Sequence, residues 1–540
     1  MILTILALTL GAAPSNETNG VEAVVPGDAL AVLRVHDPAG LLSGDRKGPW
    51  LSLLSDARWL APFGEGEPAS ALEGPELPSQ LRELLLHADD LSLSMGGDPA
   101  TDRGYLALAL TGPPTLAIQA RRFIQQLDPT AQSDPTGLAS ILIGIQNVYH
   151  VGEGRFLMVR SGSGSQPLEI LGRMMAAQDQ RTNIFQVEGL AQEHRGEDFE
   201  ILLDLAQTWK NGLPATDPDF ASMRQELEAT ADAMTWAHIS GGVNSAGHWD
   251  LRGVLPYPED RLIGEFLRLL RPLSWPGLYH VPGKATGALA MSMDLEGLFD
   301  FMIKNSQTLF AMETKETQED MREFEEDLGV RFREDFIALI GPEMHYFEMV
   351  TWTQAKEGEE PVSKEDFVFT LQVKDPKGLQ RSMQALAPAI GLSPISPTKA
   401  PYGQWSLSFL WSEYAIGIGP HNLILAKNES ALSKCMELEL KHQASDSFAA
   451  APILKSLDQP LGGSLMQASK DEPHSEVMDF ILEIGLSSTG FEGTALENPI
   501  QYWFLIFKDL WIGHSPHWGV IDLRAGAGRL ELRAFSRRPR

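Results

Sequence analysis

The feature that most constrains the fold is an order of elements that the chain runs through twice. From Tyr105 the pattern reads strand, helix, strand, glycine-punctuated turn, strand, helix, and from Phe367 the same order returns. Tyr149 to Leu168 (YHVGEGRFLMVRSGSGSQPL) and Tyr414 to Leu432 (YAIGIGPHNLILAKNESAL) share a strand end, a glycine turn, a second strand and a polar helix entry. Other landmarks pair in the same way. Leu84–Met95 answers to Ala338–Met349. The hairpin pattern in Trp236–Leu255 answers to that in Trp518–Phe535, each with alternating apolar residues around a Gly-rich turn. The paired landmarks lie about 255 to 280 residues apart and keep their order, as one fold written twice requires. The expectation is an α+β protein of two similar halves by internal duplication, residues 22–275 and 280–540, with Val281-Pro282-Gly283 at the joint.

Within each half the run reads β-α-β-β-α-β. The first has strands at Tyr105–Leu110, Ile141–Val151, Phe156–Arg160 and Glu200–Leu205, with helices at Leu116–Leu127 and Leu168–Ala177. The second has strands at Phe367–Val373, Trp405–Ile418, Leu423–Ala426 and Ser464–Ala468, with helices at Leu379–Leu386 and Ala431–Leu440. That order is the split β-α-β arrangement, an antiparallel-rich sheet with helices on one face. Three strand-to-helix joints carry an aspartate: Asp37 before Pro38, Asp294 before Leu295 and Asp375 before Pro376. A carboxylate there accepts from the first free helix amides, and proline is preset for the first helical turn. These aspartates are therefore read as caps rather than catalysts.

Composition excludes some functions. With 72 acidic against 43 basic residues the formal charge is −29, which repels nucleic-acid phosphate, so no nucleic-acid partner is expected. Met1 to Ala13 (MILTILALTLGAA) reads as a signal peptide, its Ile2–Leu10 core too short to span a bilayer and its Gly11-Ala12-Ala13 fit for cleavage. No basic residue precedes that core. No transmembrane span is expected. The single cysteine, Cys435, allows no internal disulfide and falls in the apolar-periodic run Ala431–Leu440, where it reads as a core residue.

No cofactor, metal or catalytic assignment emerges. Gly162-Ser163-Gly164-Ser165 follows a strand but lacks the lysine of a phosphate loop and the frame of a nucleophile elbow, so it reads as a capping turn. His514 and His517 flank Pro516 without a neighbouring carboxylate, and a zinc site wants three or four ligands. His238 and His248 sit at the corresponding hairpin of the first half. Glu325-Glu326-Asp327 and Glu357-Gly358-Glu359-Glu360 read as solvated surface, the stretches 65–78, 356–363 and 391–401 as loops, and 311–328 as an exposed charged helix. Trp405 and Trp411 read as core aromatics.

Leu328-Gly329-Val330, the stretch from Arg333 to Glu343 (REDFIALIGPE) and Val25 to Leu30 (VPGDAL) resemble an uncharacterised family of secreted or envelope-associated bacterial proteins with a domain of unknown function, of planctomycete and myxobacterial type. The resemblance implies an extracytoplasmic location and carries over no catalytic residue. The resulting expectation is an exported, non-enzymatic protein that binds an envelope macromolecule or an apolar ligand. A hydrolase with dispersed active-site residues and a self-associating structural protein are the alternatives.

Overall fold

The computed structural model describes residues 25, 29–43, 76–98, 103–133, 140–144, 147–152, 154–161, 167–180, 198–204, 206, 221–243, 249–274, 281–283, 285–352, 363–395, 400–409, 412–441, 463–470, 518–526 and 528–537. The signal-peptide reading, Gly162–Gln166, His248, Glu357–Glu360, Trp411, His514 and His517 lie outside the described residues. The chain divides into two compact units, Met1–Ile201 with Phe491–Trp503, and Leu202–Gly490 with Phe504–Arg540.

In the first unit the elements are β1 (Ala29–His36), α1 (Pro38–Ser43), α2 (Glu76–Leu85), β2 (Asp90–Asp98), β3 (Arg103–Thr111), α3 (Leu116–Leu127), β4 (Gln132–Ser133), β5 (Ile141–Ile143), β6 (Asn147–Gly152), β7 (Arg155–Ser161), α4 (Pro167–Gln180) and β8 (Phe199–Asp204), within which the division falls. Antiparallel pairing joins β1 to β2, β2 to β3, β3 to β7, β7 to β6, β6 to β5 and β5 to β4. Strand β8 pairs with the free side of β1.

The second unit opens with α5 (Ala221–Ala233), β9 (Trp236–Val243), β10 (Trp249–Pro256) and α6 (Leu262–Leu267). It continues with β11 (Gly287–Ser292), α7 (Leu295–Lys304), α8 (Ser306–Phe310), α9 (Thr314–Leu328), α10 (Phe332–Asp335), β12 (Ile340–Trp352), β13 (Ser363–Val373), α11 (Pro376–Leu386), β14 (Ser393–Pro394), β15 (Gln404–Phe409), β16 (Ser412–Ile418), β17 (Asn422–Ala426), α12 (Glu429–Lys441), β18 (Leu465–Lys470), β19 (Trp518–Gly526) and β20 (Arg529–Arg537). Antiparallel pairing runs β18–β11–β12–β13–β17–β16–β15–β14. That is the order β8–β1–β2–β3–β7–β6–β5–β4, strand for strand. The hairpins that the sequence placed at the end of each half lie in this one unit, with β10 paired to β20 from Asp250↔Phe535 to Pro256↔Arg529.

The order β3–β7–β6, with α3 between β3 and β6, is that of a split β-α-β unit. The last strand of the run, β8, pairs with β1, since β2 and β7 flank β3. One expectation is corrected. Helices cover both sheet faces rather than one. Ile170, Leu171 and Met174 of α4 pack on Ala107, Ala109, Leu157 and Val159, whereas Phe123 of α3 meets Phe156 edge-on at 6.1 Å. Phe156 and Leu157 are successive strand residues and point to opposite faces. In the second unit α12 packs on Ile424 and Ala426, and α11 on the face that bears Leu423 and Leu425. Strands so clothed bury both faces, which is why β3 (RGYLALALT) reads as a continuous apolar run.

The strand-to-helix joints form as the aspartates predict. The amides of Gly40, Gly297 and Gly378 donate to Oδ1 of Asp37, Asp294 and Asp375 at 2.9, 2.9 and 3.0 Å. Glycine three residues after the cap leaves room for the carboxylate: a Cβ would lie 2.0 Å from Asp37 Oδ2 at Gly40 and 2.5 Å from Asp375 Oδ2 at Gly378. At the end of α9, Gly329 adopts φ +67°, a left-handed helix stop that glycine tolerates without strain.

Candidate functional site

Charged side chains gather at one place in the first unit. Arg34 and His36 lie on one face of β1, and His36 is directly opposite Asp90 on β2. Glu200 comes from β8. His36 Nδ1 is 3.3 Å from Asp90 Oδ1, and its Nε2 is 3.4 Å from Glu200 Oε2, an ion-pair distance rather than a well-formed hydrogen bond. Arg34 reaches Asp90 at 3.3 Å and Glu200 at 3.8 Å. Burial pulls the His36 pKa down, yet its bonds to Asp90 and Glu200 outweigh burial and the repulsion of Arg34, so the pKa rises to about 9. The imidazolium therefore persists at neutral pH. Two cations then balance two carboxylates, and the group clamps β1 between its neighbours. A histidine held in this form is a poor general base.

The corresponding strands of the second unit hold a different polar set. Ser292 on β11 lies opposite Glu343 on β12, and His345 lies opposite Ala290 and Thr370. Ser292, Glu343, His345 and Thr370 are all buried. Glu343 accepts from the Ser274 amide at 2.7 Å, and His345 Nδ1 approaches Thr370 Oγ1 at 3.3 Å. Burial drives the His345 pKa down to about 4, leaving it neutral. The corresponding strands thus hold a charged histidine in one unit and a neutral one in the other.

Other titratable groups are tied into the fold. Glu439, on α12, accepts the amides of His421 and Asn422 at 2.7 and 3.0 Å, and burial raises its pKa to about 7. Asp522 on β19 is raised to about 6, also by burial. Cys435 belongs to the core beneath α12, as the sequence indicates, and burial pushes its thiol to about 12. Trp405 is likewise in a core, under α11. His238 is buried on β9. Glu326 and Asp327 are exposed as expected, but Glu325 is not simply solvated: its Oε1 accepts the Phe332 amide at 2.7 Å, which joins α9 to α10. Among the described residues no group of three or more His, Cys, Asp or Glu has the arrangement of a metal site.

The two units differ most on the sheet face that bears α3 and α11. In the first unit this face is closed over β2 and β3, where Leu91, Leu93 and Met95 are 2, 4 and 7% exposed and Leu106, Leu108 and Leu110 are 0%, while Ala31 and Leu33 on β1 are half-buried. Leu81, Leu84 and Leu85 of α2 are equally buried. In the second unit the same face of β11, β12 and β13 is less fully covered. Leu289 on central β11 is 38% exposed. Its cross-strand line continues through Tyr346 and Phe369, and Met291 lies opposite Met344, all of them half-buried. Tyr346 stacks on Phe367 with ring centroids 6.3 Å apart, and Phe367 meets Tyr414 at 5.9 Å. The helices that precede β12, α9 and α10, bury none of their own residues. No single sequence motif marks this surface, because it is the sum of alternate positions on three strands.

No family model matches the chain, and no curated protein does. Among solved structures, crystal form IV of TP0453 is similar with a TM-score of 0.28 at 8% identity, over 44% of this chain and 80% of that one. Crystal form III of TP0453 gives 0.28 at 9% identity, over 47% and 89%. Likeness at that level carries no argument about fold or activity.

Proposed function

We propose that the chain is an exported, non-enzymatic binding protein of the bacterial envelope, which takes an apolar ligand on the open sheet face of its second unit. The observation that carries the reading is the exposure of Leu289 amid half-buried Met291, Met344, Tyr346, Phe367 and Phe369, where the same face of the first unit is sealed on β2 and β3 and half-buried at Leu33 on β1. An apolar surface left in water costs about 25 cal/mol for each Å² that a ligand would cover. Surfaces of this kind on ordered scaffolds mark binding sites. The engagement of His36, Cys435 and Glu439 in structural roles supports a binding role over catalysis. Export rests on the Met1–Ala13 segment and on the resemblance of residues 25–30 and 328–343 to envelope-associated proteins. The common strand order of the two units supports an origin by internal duplication, one copy having kept its face closed while the other opened it.

A fluorescent fatty acid titrated into the full chain tests the binding reading. Saturable binding is expected, with loss in Leu289→Glu, whose side chain would place a carboxylate in the middle of the face. The absence of saturable binding, or equal binding by Leu289→Glu, overturns it.

A further inference from the structure

A second surface in the same unit has a different chemistry. Helices α7, α8 and α9 pack against one another and leave large apolar side chains outside: Met302 is 40% exposed, Phe310 47% and Phe324 50%. Apolar side chains exposed together and rimmed by polar residues mark contact surfaces. Phe324 is also braced. Its ring lies 6.1 Å from Phe332, which lies 5.4 Å from Phe336, a member of the core under α11. An aromatic side chain held in this way loses little freedom on binding, which is the property of an interface anchor.

The surroundings of Phe324 are strongly anionic. Between Thr314 and Leu328 there are seven carboxylates and two basic residues, Lys315 and Arg322. Both cations are paired within the helix, Lys315 with Glu319 at 3.7 Å and Arg322 with Glu326 at 3.5 Å. The cations of the neighbouring layer are engaged as well, Lys304 with Glu265 and Arg333 with Asp300. Asp320 and Asp327, four residues before and three after Phe324, share its side of the helix and are exposed, as is Glu323. Glu316, Asp320, Glu323 and Asp327 form no ion pair among the described residues.

We propose that the α7–α9 layer docks a cationic amphipathic helix of a protein partner, with Phe324 as the apolar anchor and Asp320, Glu323 and Asp327 as its charge complement. The pairing uses two interactions at once. The partner's apolar stripe covers Phe324, and its Lys or Arg side chains meet the carboxylates and the ring face. An anionic lipid surface is the wrong occupant, because the helix would meet it with like charge. The inference rests on a surface other than the sheet face and stands without it.

The test uses the full chain and a synthetic helix of Leu and Lys with an apolar stripe, its Leu/Glu analogue, and phosphatidylglycerol vesicles. The Leu/Lys helix should bind in a salt-sensitive manner, and the Leu/Glu analogue should not. Asp320→Lys combined with Asp327→Lys reverses exposed charges without touching the core and should weaken binding roughly tenfold or more. Phe324→Ala should weaken it while leaving the salt dependence. Leu289→Glu should bind the Leu/Lys helix normally, which separates this surface from the sheet face. Unchanged binding by the double reversal, or uptake of vesicles without binding of the peptide, overturns the proposal.

Discussion

Replacing His36 with glutamine removes one cation from a cluster of two cations and two carboxylates, and the structure specifies how the loss depends on pH. In the folded chain the His36 pKa rises from 6.5 to about 9. A basic group raised on folding contributes stability that is fully present below its unfolded pKa and is lost as pH climbs through its folded pKa. The window is therefore about pH 6.5 to 9, with stability falling toward the alkaline side. A shift of this size corresponds to about 3 kcal/mol. That figure is an upper one, because the imidazole keeps 25% of its surface in water. Urea unfolding of the parent protein and His36→Gln at pH 6 and pH 10 gives the comparison. The difference in stability between them should be large at pH 6 and smaller by about 2–3 kcal/mol at pH 10. An NMR titration of the His36 ring should show a midpoint near 9. A pH-independent difference, or a midpoint below 7, would refute the argument that Asp90 and Glu200 outweigh burial.

Three further outcomes follow from named contacts. Asp375→Ala removes the side-chain cap of α11 and should lower stability by about 1 kcal/mol, read from the urea midpoint, whereas Asp375→Asn should retain most of it. Cys435 should resist thiol reagents in the native protein and react after denaturation, since it is buried with a thiol pKa of about 12. Glu439 has a folded pKa raised from 4.5 to about 7, so folding favours its protonated form. Its relative stabilisation is present below pH 4.5 and declines as pH rises to 7, so the stability of Glu439→Gln relative to the parent should rise across that interval and level off above it.

Local chemistry was legible in the sequence, and long-range chemistry was not. The aspartate caps depend on residues three apart, so Asp37, Asp294 and Asp375 could be read from their neighbours. The need for Gly40 and Gly378 became clear only from the space their partner carboxylates occupy. Helix α3 runs over the residues that periodicity assigns to it, Leu116–Leu127. The segments Ile141–Val151 and Trp405–Ile418 each looked like one strand but fold as hairpins, β5–β6 and β15–β16. Strand-compatible residues lie on either side of each reversal, so alternation alone does not reveal it. The His36 cluster joins residues from three strands, with Asp90 lying 56 positions after Arg34. Nothing local marks it. The open face escaped for a related reason: Leu289 and Phe369 look like core residues in sequence, and only packing distinguishes a covered apolar face from an uncovered one.

The contrast between the two sheet faces can be measured directly by hydroxyl-radical footprinting of the native protein, read residue by residue. Met291, Met344, Tyr346 and Phe367 of the second unit should be modified readily, while Met95, Met158 and Tyr149 of the first stay protected until the protein unfolds. A saturating apolar ligand should then protect the second set. Equal protection of both sets in the ligand-free protein would contradict the central claim that one face is open for binding.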